Sequence, residues 1–332
     1  MSTLTKTKTD TQHIAIFLDS LRIDTVRDFD LHLMVNNGLV LYRSADLPFT
    51  EDNRQKLLEN KVERLYIDGV NRDKYQRYIE KNLGNILDDP LVAEKQKASI
   101  LYETSTNLVK DVLLNPTFGE NIQRCQDLVS NSVEYILKGR ESFLNLLRTA
   151  SFDYYLYTHS VNVCTFSIAL AKQMGQTDKK FLNELGIGSL LHDVGKSKIT
   201  ERILYKKSAL SEIEFDMMKK HPQWGVEILS QSSVIPQAAY YPVLQHHERG
   251  DRSGYPAGLS FEEMHIYSKI VAIADCFDAM TTERAYQKAF DTFSALKLML
   301  SMKNAFDEVC LRYFVELMGP QGVEELKEAQ YR

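Results

Sequence analysis

The sequence predicts a small α+β N-terminal domain followed by an all-α helical domain. Three observations lead there. Strand and helix signals alternate up to about residue 90, helix spacing then continues almost unbroken to the end, and five of the eight histidines crowd between His159 and His247 within that helical text. A chain of 332 residues is long for one helical core, so two domains are expected. With 44% hydrophobic residues it can build sizeable cores.

In order along the chain, residues 1–12 are rich in Thr and Lys and read as a flexible terminus. Residues 13–90 form the α+β domain. Leu31 to Val35, then Asn36-Asn37-Gly38, then Leu39 to Tyr42 reads as a β-hairpin, because Asn-Gly between apolar runs favours a tight primed turn. A helix opens near Thr50 with Glu51 and Asp52 in its first turn, and Arg64 to Ile67 is a further strand. This domain has no Gly-rich phosphate loop, no cluster of ligand-type residues and no phosphoacceptor carboxylate pattern. It reads as a regulatory or dimerisation module.

Residues 91–150 are helical and amphipathic, with Ile100, Leu101, Leu108, Val112 and Leu113 at helical spacing and one break at Pro116 and Gly119. This stretch is expected to link the domains. Its apolar stripe could pair with a second copy to make a homodimer, or pack on its own domain. Residues 151–332 form the all-α domain. Gly175 closes a helix, Thr177 or Asp178 opens the next, Ser211 to Glu214 and Ser260 to Glu263 have capping-box spacing, and Pro222 fits a first helical turn.

The net charge of −5 argues against a nucleic-acid polymer or a membrane surface as partner. No run approaches the roughly 18 apolar residues of a membrane span, and no apolar signal region follows the start. Cys125, Cys164, Cys276 and Cys310 show no paired spacing and read as reduced, buried thiols, which points to a cytoplasmic protein.

The chemistry concentrates in the second domain. His192-Asp193-Val194-Gly195-Lys196 follows apolar helical text, and Gly195 is expected to stop that helix so that both ligands project from its last turn. Adjacent helical positions point about 100° apart, so one residue can serve one metal while a carboxylate bridges to a second. His246-His247 ends another apolar helix. Asp275 sits in the apolar run Ile270 to Phe277, where an unpaired carboxylate is costly; a metal, or a salt bridge to Arg284, would satisfy it. Asp278, one turn on, reads as a structural partner or a substrate contact. Imidazole and carboxylate are ordinary donors for divalent transition metals, and the absence of thiolate favours iron or manganese over structural zinc.

His192-Asp193, His221, His246-His247 and Asp275 resemble the HD superfamily of metal-dependent phosphohydrolases. Gly254-Tyr255-Pro256 after His246-His247-Glu248 is similar to the HD-GYP subfamily, as are Ala274-Asp275 through Asp278-Ala279-Met280-Thr281 and His159-Ser160-Val161-Asn162-Val163. The resemblance covers about residues 151–319. It implies an HD-type helical fold and a cyclic di-GMP phosphodiesterase that yields pGpG, GMP or both through attack of metal-activated hydroxide on phosphorus.

The implied metal ligands are His159, His192, Asp193, His221, His246, His247 and Asp275, with Asp193 bridging. Members with three metals carry a glutamate four residues before the first histidine, where this chain has Tyr155; two divalent ions, iron or manganese, are therefore expected. Two cations roughly 3.5–4 Å apart stabilise both the attacking and the leaving oxygen. Asp193 and Lys196 are the expected catalytic residues, Lys196 neutralising charge on the phosphoryl oxygens. Tyr255, Pro256, Arg284, Asp278, Arg252 and Lys288 are the expected substrate contacts.

The chain departs from the subfamily at two places. Arg252 replaces the usual glycine, and Arg284-Ala285-Tyr286-Gln287 replaces Arg-Pro-Tyr-Arg/Lys. Loss of a cation at Gln287 bears on affinity, and Arg252 or Lys288 could compensate. Two other readings stay open: a cyclic di-GMP-binding signalling module that passes its state to a protein partner, and a hydrolase of another cyclic dinucleotide.

Overall fold

A computed structural model describes residues 13–23, 28–116, 119–150, 155–283 and 288–319. The expected flexible terminus and residues 284–287, including Arg284, lie outside the described residues. The chain divides into two units, Met1–Ile100 and Leu101–Arg332.

The first unit carries a four-stranded antiparallel sheet in the order β1-β4-β2-β3, built from β1 (His13–Phe17), β2 (Leu31–Val35), β3 (Gly38–Arg43) and β4 (Arg64–Asp68). The hairpin joins β2 to β3, with Val35 paired to Gly38. Its two turn residues are therefore Asn36 and Asn37, at φ +49° and +61°, and Gly38 begins the return strand. Asparagine tolerates the left-handed region, so the two asparagines supply the primed turn one residue earlier than expected. Helix α1 (Glu51–Glu59) starts at Thr50, whose side chain accepts from the Asn53 amide while Asn53 reaches back. Ile16, Leu31, Leu65 and Ile67 from the sheet meet Leu57 of α1 and Tyr78 of α2 (Arg72–Asp88) in one buried core.

Helix α3 (Glu94–Leu114) is followed by α4 (Gly119–Leu137) and α5 (Arg140–Thr149). The expected break at Pro116 and Gly119 separates α3 from α4, and a second falls at Lys138-Gly139. Burial of Ile122, Cys125, Leu128, Val129, Val133 and Ile136 places the stripe of α4 against the second unit's own helices. Leu101 onward thus belongs to the helical unit, where the expectation had been a linker.

The rest of that unit comprises α6 (Leu156–Gln173), α7 (Lys179–Leu190), α8 (Glu201–Leu204), α9 (Glu212–Met218), α10 (His221–Leu229), α11 (Tyr240–Gln245), α12 (Ile266–Thr281), α13 (Thr292–Ser301) and α14 (Glu308–Met318). Helix α6 is central and packs on α7, α12 and α14. Phe166, Phe277 and Phe314 meet edge-to-face at 5.0–6.1 Å behind the site.

Caps fall largely where expected. Gly175 lies at φ +90° after α6, Asp178 caps α7, Ser211 and Glu214 form a capping box, and Pro222 lies in the first turn of α10. Ser260 to Glu263 makes only a single turn; α12 opens later, with His265 as its cap. Among the described residues no helix is long and apolar enough to cross a membrane.

Candidate metal centre

Five segments deliver seven donor residues to one place. His159 comes from the first turns of α6 and Asp275 from the third turn of α12. His221 opens α10, and His246 and His247 follow the end of α11. His192 and Asp193 do not project from a helical last turn: α7 ends at Leu190, and they occupy the turn that leads into a 3-10 segment, Val194–Lys198. Gly195 lies inside that segment and is not a helix stop. A β-carbon there would stand 1.9 Å from the His221 carbonyl oxygen and 2.6 Å from the Gly225 nitrogen. Glycine is required because the two backbones touch, and that contact sets His221 beside Asp193.

The donors form two groups, one of Asp193, His221, His246 and His247, the other of His159, His192 and Asp275; within each, the ligand atoms lie inside 4.8 Å of one another. Asp193 faces both. Its Oδ1 lies 3.2 Å from His221 Nε2 and 3.7 Å from His246 Nε2. Its Oδ2 lies 3.4 Å from His192 Nε2 and 3.6 Å from His159 Nε2. Asp275 Oδ1 is 3.1 Å from His159 Nε2, and its Oδ2 is 3.8 Å from His247 Nδ1.

The far side of each ring determines what the near side can do. His192 Nδ1 donates to the Ser189 carbonyl at 2.7 Å, His221 Nδ1 to Met218 at 2.7 Å, and His246 Nδ1 to Pro242 at 2.8 Å. A carbonyl can only accept, so each of these rings carries its proton on Nδ1 and turns the Nε2 lone pair inward. The Nε2 atoms of His221 and His246 are 3.1 Å apart. Among the described residues, His192 Nε2 and Asp193 Oδ1 are buried with no hydrogen-bond partner of acceptable geometry. Lone pairs and carboxylate oxygens converging this closely repel unless a cation sits among them. The donor set therefore fits divalent metal, with carbonyls and carboxylates behind the imidazoles as such sites require.

Burial pushes the His221 imidazole down to about 4, against the raising effect of Asp193. Burial likewise lowers His192, and burial followed by the neighbouring His246 lowers His247. Burial pushes the Asp193 carboxyl up, but Lys196, whose Nζ is 2.5 Å from Oδ2, and then the imidazoles outweigh it and hold it well below the usual range. In Asp275 the His159 hydrogen bond and His247 outweigh burial in the same way.

A pH dependence follows for the metal-free protein. An unfolded chain takes protons on its histidines from about pH 6.5 downward, whereas folded His221 resists until about pH 4. The unfolded state binds more protons in that window, so stability rises with pH there and is lost as pH falls from about 6.5 to 4. Thermal midpoints of metal-free protein between pH 7 and 4 are expected to decline through this window. A flat profile would contradict the buried neutral imidazoles.

The other expected site residues divide. Tyr255 stacks on His247 at 4.7 Å and stands edge-on to His221 at 6.4 Å, forming a wall of the cluster, with Pro256 half-buried beside it. Asp278 is not open to substrate: it is 2% exposed, and its Oδ2 accepts from His159 Nδ1 at 2.6 Å. Arg252 lies at φ +66° on an exposed turn and spends its guanidinium on Glu263 at 2.9 Å and on the Gly258 carbonyl. Lys288 is exposed. Tyr155 is half-exposed and stacks on Tyr157 at 5.2 Å.

Glu248 was missed as a functional position. It is fully buried, and its two oxygens accept from the backbone amides of Ala257 at 2.6 Å and Leu259 at 2.9 Å, tying the Tyr255-Pro256 loop to the residue after the histidine pair. Gly254 lets that loop fold back, since a β-carbon there would lie 2.5 Å from Glu248 Cα and from the His247 carbonyl oxygen. The signal available in sequence was a carboxylate directly after two buried ligands. Asn162 was also missed, although a polar residue three positions after His159 in an apolar helix is a comparable signal.

A helical core that gathers imidazoles and carboxylates around two adjoining donor groups defines an HD-type metal-dependent phosphohydrolase. The HD domain family model matches residues 125–309, and the chain belongs to that family. It is 32% identical to the cyclic di-GMP phosphodiesterase PA4108 of Pseudomonas aeruginosa, over 85% of this chain and 69% of that protein. It is 44% identical to the 3'3'-cGAMP-specific phosphodiesterase 2 of Vibrio cholerae, over 30% of this chain and 19% of that protein. Among solved structures, the HDG"Y"P protein Bd1817 of Bdellovibrio bacteriovorus shares the fold, with a TM-score of 0.64 and 24% identity over 92% of this chain and 99% of that one.

Proposed function

We propose that this protein is a metal-dependent phosphodiesterase that hydrolyses cyclic di-GMP to pGpG, GMP or both. The observation that carries the chemistry is Asp193, which presents one carboxylate oxygen to each of two donor groups whose imidazoles turn their lone pairs inward. The substrate reading is supported by the Pseudomonas aeruginosa relative, which aligns over most of the chain and is named for that reaction.

His221, His246, His247 and Asp193 would hold one cation and His159, His192 and Asp275 a second, with Asp193 shared; iron or manganese suits these donors. Bound cations supply Lewis acidity toward the phosphoryl oxygens and acidify water near neutral pH. The chain's own residues supply the remainder. Lys196, 12% exposed and held on Asp193, brings positive charge to the rim of the cluster, where phosphoryl oxygens gain charge as the leaving alkoxide departs. Tyr255 offers a flat face above His247 on which a base or ribose can rest, and Glu248 holds that face in place.

The deciding experiment is anaerobic loading with Fe(II) or Mn(II), metal quantification, and turnover of cyclic di-GMP followed by nucleotide chromatography. About two metals per chain with pGpG or GMP appearing is the expected result. Tight nucleotide binding without product would instead make the chain a sensor. A faster 3'3'-cGAMP reaction in the same assay would reassign the substrate.

Replacing Glu248 by Ala strands two backbone amides at about 1–3 kcal/mol each. The loop is expected to loosen, raising KM for the dinucleotide about tenfold while metal content stays at the wild-type value. Unchanged KM would remove Glu248 from loop positioning.

A further inference from the structure

Behind the cluster, four side chains on three helices form one buried line of hydrogen bonds. Tyr102 of α3 donates its hydroxyl to Asn162 Oδ1 at 3.0 Å. Asn162 of α6 donates from Nδ2 to Asp278 Oδ1 at 2.8 Å. Asp278 of α12 takes His159 Nδ1–H on its other oxygen at 2.6 Å. His159, Asn162 and Asp278 are 1%, 3% and 2% exposed, and Tyr102 is 9% exposed.

The donor and acceptor roles in this line are forced by chemistry. His159 must keep its proton on Nδ1 to offer Nε2 to the cluster, and a carboxylate is the strongest neutral-pH acceptor for it. That carboxylate's second oxygen also takes a donor, and the NH2 face of Asn162 provides one. The amide oxygen then points away from Asp278, and the phenol hydroxyl of Tyr102 donates to it. Tyr102 is the only member of the line outside α6 and α12, the two helices that carry His159 and Asp275.

We propose that Tyr102 is a positioning residue for His159, acting through Asn162 and Asp278, and that α3 thereby sets the cation affinity of the His159–His192–Asp275 group. The proposal rests on the metal-centre reading above. The other donor group, in which His221 and His246 are held on the Met218 and Pro242 carbonyls, has no member in this line. The effect is therefore confined to one half of the site, which a loss of general packing would not be.

The test is a Mn(II) titration of the full chain by equilibrium dialysis, with free ion read by EPR. Wild type is expected to show two classes of site. Asp278→Asn should weaken one class by about 10–100-fold, as removal of an outer partner of a metal-bound histidine does. Tyr102→Phe, two bonds further out, should weaken the same class by about 3–10-fold and leave the other class unchanged. In the Asp278→Asn background, Tyr102→Phe should add nothing, because the line is already cut.

Three results would overturn the proposal: wild-type affinities in Tyr102→Phe, equal weakening of both classes, or a full Tyr102→Phe penalty that persists in the double variant. If Tyr102→Phe does not fold, Asn162→Ala must weaken that same class, and wild-type binding by Asn162→Ala refutes the line. A wild type that binds no Mn(II) would fell the metal centre together with this inference. Two intact classes in every variant would fell this inference alone.

Discussion

Asp193→Asn is expected to abolish cation binding at both donor groups and to lower phosphodiester hydrolysis by about 10³-fold or more, while the helical fold persists. The side chain keeps its shape but loses the charge that faces His221 and His246 through Oδ1 and His192 and His159 through Oδ2. It also loses the counter-charge that holds Lys196 at 2.5 Å. An amide would set NH2 protons against one pair of imidazoles and leave no anion for two cations to share. The check is metal content per chain, turnover and far-UV circular dichroism on the same preparation. Two metals with near-wild-type turnover would remove Asp193 from the centre. A collapsed helical signal would instead mean that the carboxylate holds the fold.

The second large effect is expected of Gly195→Ala. The added β-carbon would meet the His221 carbonyl oxygen at 1.9 Å, the Gly225 nitrogen at 2.6 Å and the His221 carbonyl carbon at 2.9 Å. All three are backbone atoms, so no rotamer change relieves the clash, and the 3-10 segment must part from α10. The cost is about 3 kcal/mol, a fall of roughly 6–12 °C in the thermal midpoint. His221 would also move away from Asp193, so metal affinity should fall with stability. Gly119→Ala is the control, since among the described residues nothing lies within 4 Å of the β-carbon it adds. A Gly195→Ala protein as stable as this control would mean that the two backbones are free to separate.

Much of this could be read from residues because the relevant physics is local. The asparagine turn, the Thr50 and Ser211 caps and Pro222 in a first turn each depend on a few neighbouring atoms, and each lies within a residue or so of its expected place. His192-Asp193, His246-His247 and Asp275 stood out because imidazoles and carboxylates in apolar text are costly without a partner, and the resemblance supplied His159 and His221. Ser260 to Glu263 shows the limit of local reading. Its capping contact forms, Ser260 N to Glu263 Oε2 at 2.8 Å, yet no helix follows from it.

What depended on distant parts of the chain was not legible. Asp278 was open between a structural partner and a substrate contact, and Arg252 was expected at the substrate. One is buried behind His159 and the other is turned outward onto Glu263, because a side chain's partner across 119 residues of sequence, or across a left-handed turn, is decided by packing. Glu248 and Asn162 acquired roles only when α12 and the Tyr255 loop closed on them.

Periodicity and turn chemistry, which are properties of residues and near neighbours, were enough to read the helical class of the second domain and the hairpin of the first, while the seven donors were named through the family resemblance. Packing was needed to show that Gly195 is a contact and not a stop, and that Tyr102 joins through Asn162 and Asp278 a line leading to His159. Those are distances between segments far apart in the chain, and only packing brings such segments together.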